Sequence, residues 1–108
     1  MAQFFGKEKA IIFPSGTQSN LTALLSHVRI KGDSAIMGNK CHIYKYERGG
    51  SAALGGVFPH IIENKVDGTF DLAALESMIP PVSEHLPQPR LICLENSQGG
   101  SNGAAIPI

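Results

Sequence analysis

Apolar positions along this chain fall alternately into short continuous runs and helical stripes, and that alternation predicts its architecture. Ala10, Ile11, Ile12 and Phe13 form an apolar run closed by Pro14, the pattern of a buried strand. Leu21, Leu24, Leu25 and Val28 then recur at helical spacing, which predicts a helix beginning near Thr17. Gly32 and Asp33 end it, after the basic residues Arg29 and Lys31. Residues 34–38 read as a second strand and residues 39–46 as a loop or short helix. Residues 51–54 are a small-residue helical turn bracketed by Gly49-Gly50 and Gly55-Gly56. A further strand covers 57–63. Asp67-Gly68 signals a turn, and Asp71 caps a helix with Leu72, Leu75 and Ile79 on one face, stopped by Pro80-Pro81. Residues 90–95 make the last clear strand and 98–103 a glycine- and serine-rich loop. Residues 1–5 read as the last turn of a helix closed by Gly6.

Strands alternating with helices place the chain in the α/β class with a mainly parallel sheet. Few strands can be drawn, and the pattern is cut at both ends. Parallel sheets are stable when helices cover both faces. The expectation is therefore a fragment or truncated product of a longer protein, with no second domain in residues 1–108.

Composition narrows the picture. A chain of 108 residues is at most one domain, and one this size buries roughly two-thirds of its unfolded surface. A hydrophobic fraction of 43% against 17% charged suits a packed interior. Formal net charge is zero and no basic cluster occurs, which argues against nucleic acid or an anionic membrane as partner. No apolar run is long enough to span a bilayer, and the start lacks a signal-peptide pattern. Cys41 and Cys93 make no disulfide framework, and Cys41-His42 lacks the second pair a zinc site wants. No metal is expected, and a reducing, cytoplasmic compartment is the default.

The run Pro14-Ser15-Gly16-Thr17-Gln18-Ser19-Asn20 carries the first candidate chemistry. A glycine lets the backbone approach an anion, and the free N–H groups of a first helical turn point at it. Ser15, Thr17 or Ser19 could equally be a plain N-cap that needs no ligand, and on this run alone capping is the preferred reading.

Taken in order, that loop, the run Cys41-His42-Ile43-Tyr44-Lys45-Tyr46-Glu47, the two glycine pairs, Asp67-Gly68-Thr69-Phe70-Asp71-Leu72 and Arg90-Leu91-Ile92-Cys93-Leu94-Glu95-Asn96 resemble the N-terminal part of the large domain of threonine aldolases. These are pyridoxal-phosphate (PLP) enzymes of the aspartate-aminotransferase fold, related to the aromatic β-eliminating lyases. The resemblance covers essentially the whole chain. It implies a partial three-layer α/β/α large domain of a fold type I PLP enzyme. It also implies a retro-aldol cleavage of β-hydroxy-α-amino acids, threonine giving glycine and acetaldehyde. A place in threonine catabolism and glycine biosynthesis follows from it, with an amino-acid substrate and a homo-oligomer, tetramer or dimer.

The resemblance carries over to particular residues. Gly16 and Thr17 match the cofactor-phosphate positions, with Gln18 as a further amide donor. His42 matches the histidine that stacks on the pyridine ring and can handle a proton on the substrate hydroxyl. Glu95-Asn96 ends a strand on the edge where α/β sheets place ligands, which makes Asn96 a candidate cofactor contact. Tyr46 and Glu47 match a Tyr-Glu pair on the substrate side or at a subunit boundary, with simple packing the competing role for Tyr46. His27, His60 and His85 match nothing functional and read as surface or satisfied residues.

The pattern fails after Asn96. The family continues Thr-His-Asn, and that histidine is thought to reach the substrate hydroxyl; here the run is Ser97-Gln98-Gly99. Glutamine can hydrogen-bond on the substrate side but is no general base near neutral pH. An arginine of the family is replaced around Ala104. The lysine that holds the cofactor covalently and the aspartate that pairs with its ring nitrogen lie beyond residue 108 in the family. The chain alone is therefore expected to be inactive. A non-catalytic truncated isoform or degenerate paralogue, and another PLP lyase of the same fold that performs β-elimination, are the alternatives.

Overall fold

Ser34, Ala35, Ile36, Met37 and Gly38 are small or apolar, and they form the strand β1 (Ser34–Gly38), buried at every position. The structure, a computed structural model, describes residues 1–107. β1 is the middle of a three-stranded, all-parallel sheet, flanked by β2 (Phe58–Ile62) and β3 (Pro89–Cys93). Ala35 pairs with Pro59 and Leu91, and Met37 with Ile61 and Cys93. A strand paired on both sides and covered on both faces has no solvent-facing position, hence its uninterrupted lack of charge.

Side chains alternate across a strand, so Ala35 and Met37 face one layer and Ile36 the other. On the first face Ala35 and Met37 pack with Val57 and with Leu24 and Val28, from helix α1 (Gly16–His27) and its C-cap. Ile43 of the short helix α2 (His42–Lys45), together with Leu91 and Cys93, extends that cluster. On the second face Ile36, Ile62 and Phe70 pack with Leu75 and Met78, from helix α4 (Leu72–Ser77) and its C-cap. A one-turn helix α3 (Gly50–Ala53) joins α2 to β2 and packs on α1. The result is a partial three-layer α/β/α arrangement with a parallel sheet, as expected. The connection from β1 to β2 runs on one face and the return to β3 on the other, so the strand order reverses about β1. The open crevice then lies at the C-terminal ends of β1 and β3, where α/β sheets take ligands.

Several expectations need correction. Residues 10–13 form no strand, and Ile11 and Ile12 are three-quarters exposed. A strand exists through its ladder partners, and the sheet formed by the described residues offers this run none. α1 stops at His27, short of Gly32. Val28 turns extended to bury itself beside Leu24, and its N–H closes the last turn on the Leu24 carbonyl. Gly32 instead adopts a left-handed φ of 94° and donates its N–H to the Gly56 carbonyl at 2.8 Å, leading the chain into β1. α4, six residues long, is too short for three apolar contacts. Leu75 packs, while Leu72 stays exposed and Ile79 lies past the helix end. The opening turn is a 3₁₀ helix (Gln3–Phe5) capped by a left-handed Gly6, as its sequence indicates.

Candidate active site

A pocket of about 460 Å³ lies between α1 and β3, running along Leu91, Ile92 and Cys93 of β3 and reaching the segment that follows β1. Its walls include Asn20 and His27 of α1, Cys41 and His42 just after β1, and Cys93, Glu95 and Asn96 at the end of β3. No helix of the described residues is long and apolar enough to cross a membrane, and no cluster of three metal-ligating side chains occurs among them.

The chain leaving β1 is pinned from the loop after β2. The Asn64 side chain accepts the Lys40 N–H and donates to the Gly68 carbonyl, both at 3.0 Å, while the Asn64 N–H donates to Asn39 Oδ1 at 3.0 Å. Gly38 is what admits Asn64. A Cβ at this position would lie 2.7 Å from Asn64 Cγ and Nδ2 and closer still to Oδ1. Cys41 then enters α2 in extended conformation. Glu95, arriving from β3, accepts the His42 N–H at 2.6 Å on one carboxylate oxygen and the Gly99 N–H at 2.9 Å on the other. One carboxylate therefore ties together the first turn of α2, the end of β3 and the 3₁₀ turn Gly99–Ser101.

The half-exposed His42 ring meets a buried partner. Its Nδ1 lies 2.9 Å from Glu47 Oε1, and Asn20 Nδ2 donates to the same oxygen at 2.7 Å. Tyr46 is exposed outside the pocket wall, its ring 5.5 Å from the His42 ring at an interplanar angle of 51°. Glu47 thus stands behind His42, on the protein side. Asn96 lines the pocket beside Glu95, and its Oδ1 accepts the Ile106 N–H at 3.2 Å.

Gly16, Thr17 and Gln18 form the first turn of α1, and the pocket residue Asn20 follows one turn after Gly16. They lie outside the pocket wall itself. Ser15 is the N-cap, its Oγ accepting the Gln18 N–H at 3.2 Å, so the capping role read from sequence is real. Capping leaves the N–H groups of Gly16 and Thr17 without an acceptor among the described residues. A Cβ at Gly16 would meet nothing within 4 Å, so the space over this turn is open. Two unspent backbone donors and the Thr17 hydroxyl at the positive end of a 12-residue helix suit a phosphate dianion. With His42 as a flat ring beside the pocket, the residues present fit pyridoxal phosphate.

Gln98 is fully buried. Its Nε2 donates to Cys41 Sγ at 3.4 Å, its Oε1 accepts the Gly100 N–H at 2.9 Å, and its backbone pairs with Ala104. Every polar end of this side chain is thus spent inside the fold. Burial raises the Cys41 thiol above its ordinary range, with the Glu95 charge adding to the effect, and burial pushes Cys93 up to about 11. Both thiols are free and protonated near neutral pH.

Sequence reasoning missed Asn20 and His27 as pocket residues. The signal for Asn20 was its position, one turn before Leu24 on the stripe that faces the sheet. His27 follows at the next turn beyond Ala23. His60 is not satisfied as expected: its Nδ1 is buried without a partner among the described residues, while its ring packs edge-on against Phe58 at 5.0 Å.

The sequence is similar to known proteins along its whole length. The chain is 44% identical over 110 positions to low-specificity L-threonine aldolase 1 of Arabidopsis thaliana, covering all of this chain and 31% of that protein. It is 42% identical over 99 positions to the low specificity L-threonine aldolase of Escherichia coli strain K12, covering 92% of this chain and 29% of that protein. A probable low-specificity L-threonine aldolase of Schizosaccharomyces pombe matches at 29% over 109 positions, 28% of its length. The chain spans less than a third of the curated relatives it matches. Residues 1–108 also match the β-eliminating lyase family from end to end, and the chain belongs to that family.

Proposed function

We propose that this chain is the phosphate-binding and ring-stacking portion of a PLP-dependent threonine aldolase, which cleaves threonine and related β-hydroxy-α-amino acids to glycine and an aldehyde. The observation that carries this reading is the coincidence of whole-chain likeness to low-specificity L-threonine aldolases with a pocket that joins His42 and Asn96 beside the open first turn of α1. Gly16 and Thr17 N–H groups and the Thr17 hydroxyl hold the phosphate, with Gln18 nearby. The His42 ring stacks on the pyridine plane and fixes its tilt, and the Asn96 amide reaches the cofactor from the β3 side. When bound, PLP supplies an electron sink for the pair left on Cα as the Cα–Cβ bond breaks. The free ring nitrogen of His42 is the basic atom placed to take the β-hydroxyl proton.

None of Lys7, Lys9, Lys31, Lys40, Lys45 and Lys65 lines the pocket. On this reading the 108 residues alone bind the cofactor without covalent capture and do not turn over; catalysis belongs to a longer polypeptide. Gln98, sequestered in the fold, favours a non-catalytic product as the second reading. The two free thiols are in keeping with a reducing cytoplasmic setting. Threonine breakdown, glycine formation and a homo-oligomeric assembly follow from the proposed activity.

The test is titration of the ¹⁵N-labelled chain with PLP, followed by amide chemical shifts. Saturable shifts are expected at Gly16, Thr17, Gln18, His42 and Asn96, with Thr17→Ala weakening them. Perturbations scattered over the surface lysines, with none in the first turn of α1, would overturn the proposal.

A further inference from the structure

Glu47 presents a question that its match to a substrate-side pair does not answer. Its carboxylate is buried, and it points at the back of His42. Placing a carboxylate there costs desolvation unless its oxygen lone pairs are filled. Two groups fill Oε1: the Asn20 amide at 2.7 Å, from a helix 27 residues earlier in sequence, and His42 Nδ1 at 2.9 Å. Immediately after Glu47 the backbone takes a left-handed turn at Arg48, φ 54°, and at Gly49, φ 66°. A non-glycine residue in that region is disfavoured, so the chain accepts a strained residue where it aims Glu47 inward.

Amide-to-carboxylate-to-imidazole contact has a chemical consequence. An ionised carboxylate only accepts, and Asn20 offers it a fixed N–H, so the remaining contact must be filled by a donor. We infer that Glu47 is a positioning residue: held by Asn20, it locks the His42 imidazole in the Nδ1–H tautomer and in one ring orientation, leaving Nε2 as the free lone pair on the pocket side. The inference rests on the reading of His42 as the stacking ring, and it moves Glu47 from contacting substrate to acting through His42. It also gives Asn20 a role as the anchor that couples the phosphate-binding helix to the ring. The first turn of α1 and the orientation of the stacking histidine are then set by one helix, three residues apart.

Long-range ¹H–¹⁵N correlation spectra of the histidine-labelled chain at pH 8 test this directly, with His42 assigned by its loss in His42→Gln. The expected result is the Nδ1–H tautomer at His42 without any cofactor present. Glu47→Gln, which keeps an accepting oxygen, should retain it. Glu47→Leu should release His42 to the Nε2–H form that free histidine favours, with His27, His60 and His85 unchanged. A merely structural role for Glu47 would not move a tautomer selectively. An Nε2–H or doubly protonated ring in the unmodified chain overturns the inference, and that measurement needs no variant to fold. So does an unchanged tautomer in Glu47→Leu with a dispersed backbone spectrum. PLP titration separates the two claims. Glu47→Leu should weaken PLP binding about tenfold, the low end of the scale on which outer partners of a metal-bound histidine act, and Glu47→Gln should leave it within about twofold. The Nδ1–H tautomer with no PLP binding sinks the proposed function and leaves the positioning intact. PLP binding with an Nε2–H ring does the reverse.

Discussion

Replacing Gly38 with alanine adds a single methyl group at the carboxyl end of β1, and the structure says what that methyl meets. It would sit 2.7 Å from Asn64 Cγ and Nδ2, where carbon atoms pack at about 3.5–4.0 Å. The only group able to give way is the Asn64 side chain. That side chain is buried and makes two hydrogen bonds, to the Lys40 N–H and the Gly68 carbonyl. Swinging it aside strands both backbone groups, at roughly 1–3 kcal/mol each. Gly38 lies outside the left-handed region, so alanine stiffens the unfolded chain and returns about 0.4–1 kcal/mol. The net loss is roughly 1–5.6 kcal/mol, set against the 5–15 kcal/mol typical of a whole domain. Urea unfolding followed by circular dichroism measures it. The decisive comparison is with Asn64→Ala, which already lacks both bonds. In that background Gly38→Ala should be neutral or slightly stabilising, a coupling of about 2 kcal/mol or more between the two sites. A Gly38→Ala loss below about 1 kcal/mol, or additive losses in the double variant, would refute the steric account.

Two further outcomes follow from capping and burial. Ser15→Ala removes the acceptor for the Gln18 N–H and should cost about 1 kcal/mol in the same unfolding assay, with faster amide exchange confined to the start of α1. The thiols should be protected and alkali-sensitive. Burial holds Cys41 above its ordinary value and Cys93 at about 11, against 9.0 unperturbed. A raised folded value means that the neutral thiol is favoured in the fold, so stability is complete below pH 9 and declines as pH rises from 9 towards 11. Iodoacetamide at pH 8 should label both cysteines slowly in the folded chain and rapidly in urea; equal rates would show the burial to be wrong.

How far the sequence led depends on whether an element is defined locally or by its partners. β1 was legible to the residue, because a strand buried on both sides leaves an unbroken apolar signature. The Asp71 cap and the left-handed Gly6 were legible because each is a contact between neighbours in sequence. Residues 10–13 carry the same apolar signature as β1, yet ladder partners rather than hydrophobicity decide whether a run becomes a strand. The site divides in the same way. Ser15, Gly16 and Thr17 could be read from a loop-to-helix pattern. The Asn20–Glu47–His42 contact could not, since it joins residues 27 positions apart. Gln98 reads from sequence as a polar residue on the substrate side; its burial against Cys41, 57 positions away, has no local signal.

The central place of β1 has a consequence for how the chain comes together. Its first partner, β2, arrives 24 residues later in register, but its second, β3, pairs Ala35 with Leu91. A chain emerging from the ribosome therefore carries an uncharged, largely apolar strand with one open hydrogen-bonding edge until about residue 93 has cleared the exit tunnel. Closing such a long-range parallel pair is slow, because a large loop must be ordered before the contact repays it. During that interval the unpaired edge of β1 is a template for another chain, so the segment between Ile62 and Pro89 sets how long nascent chains remain exposed to mispairing.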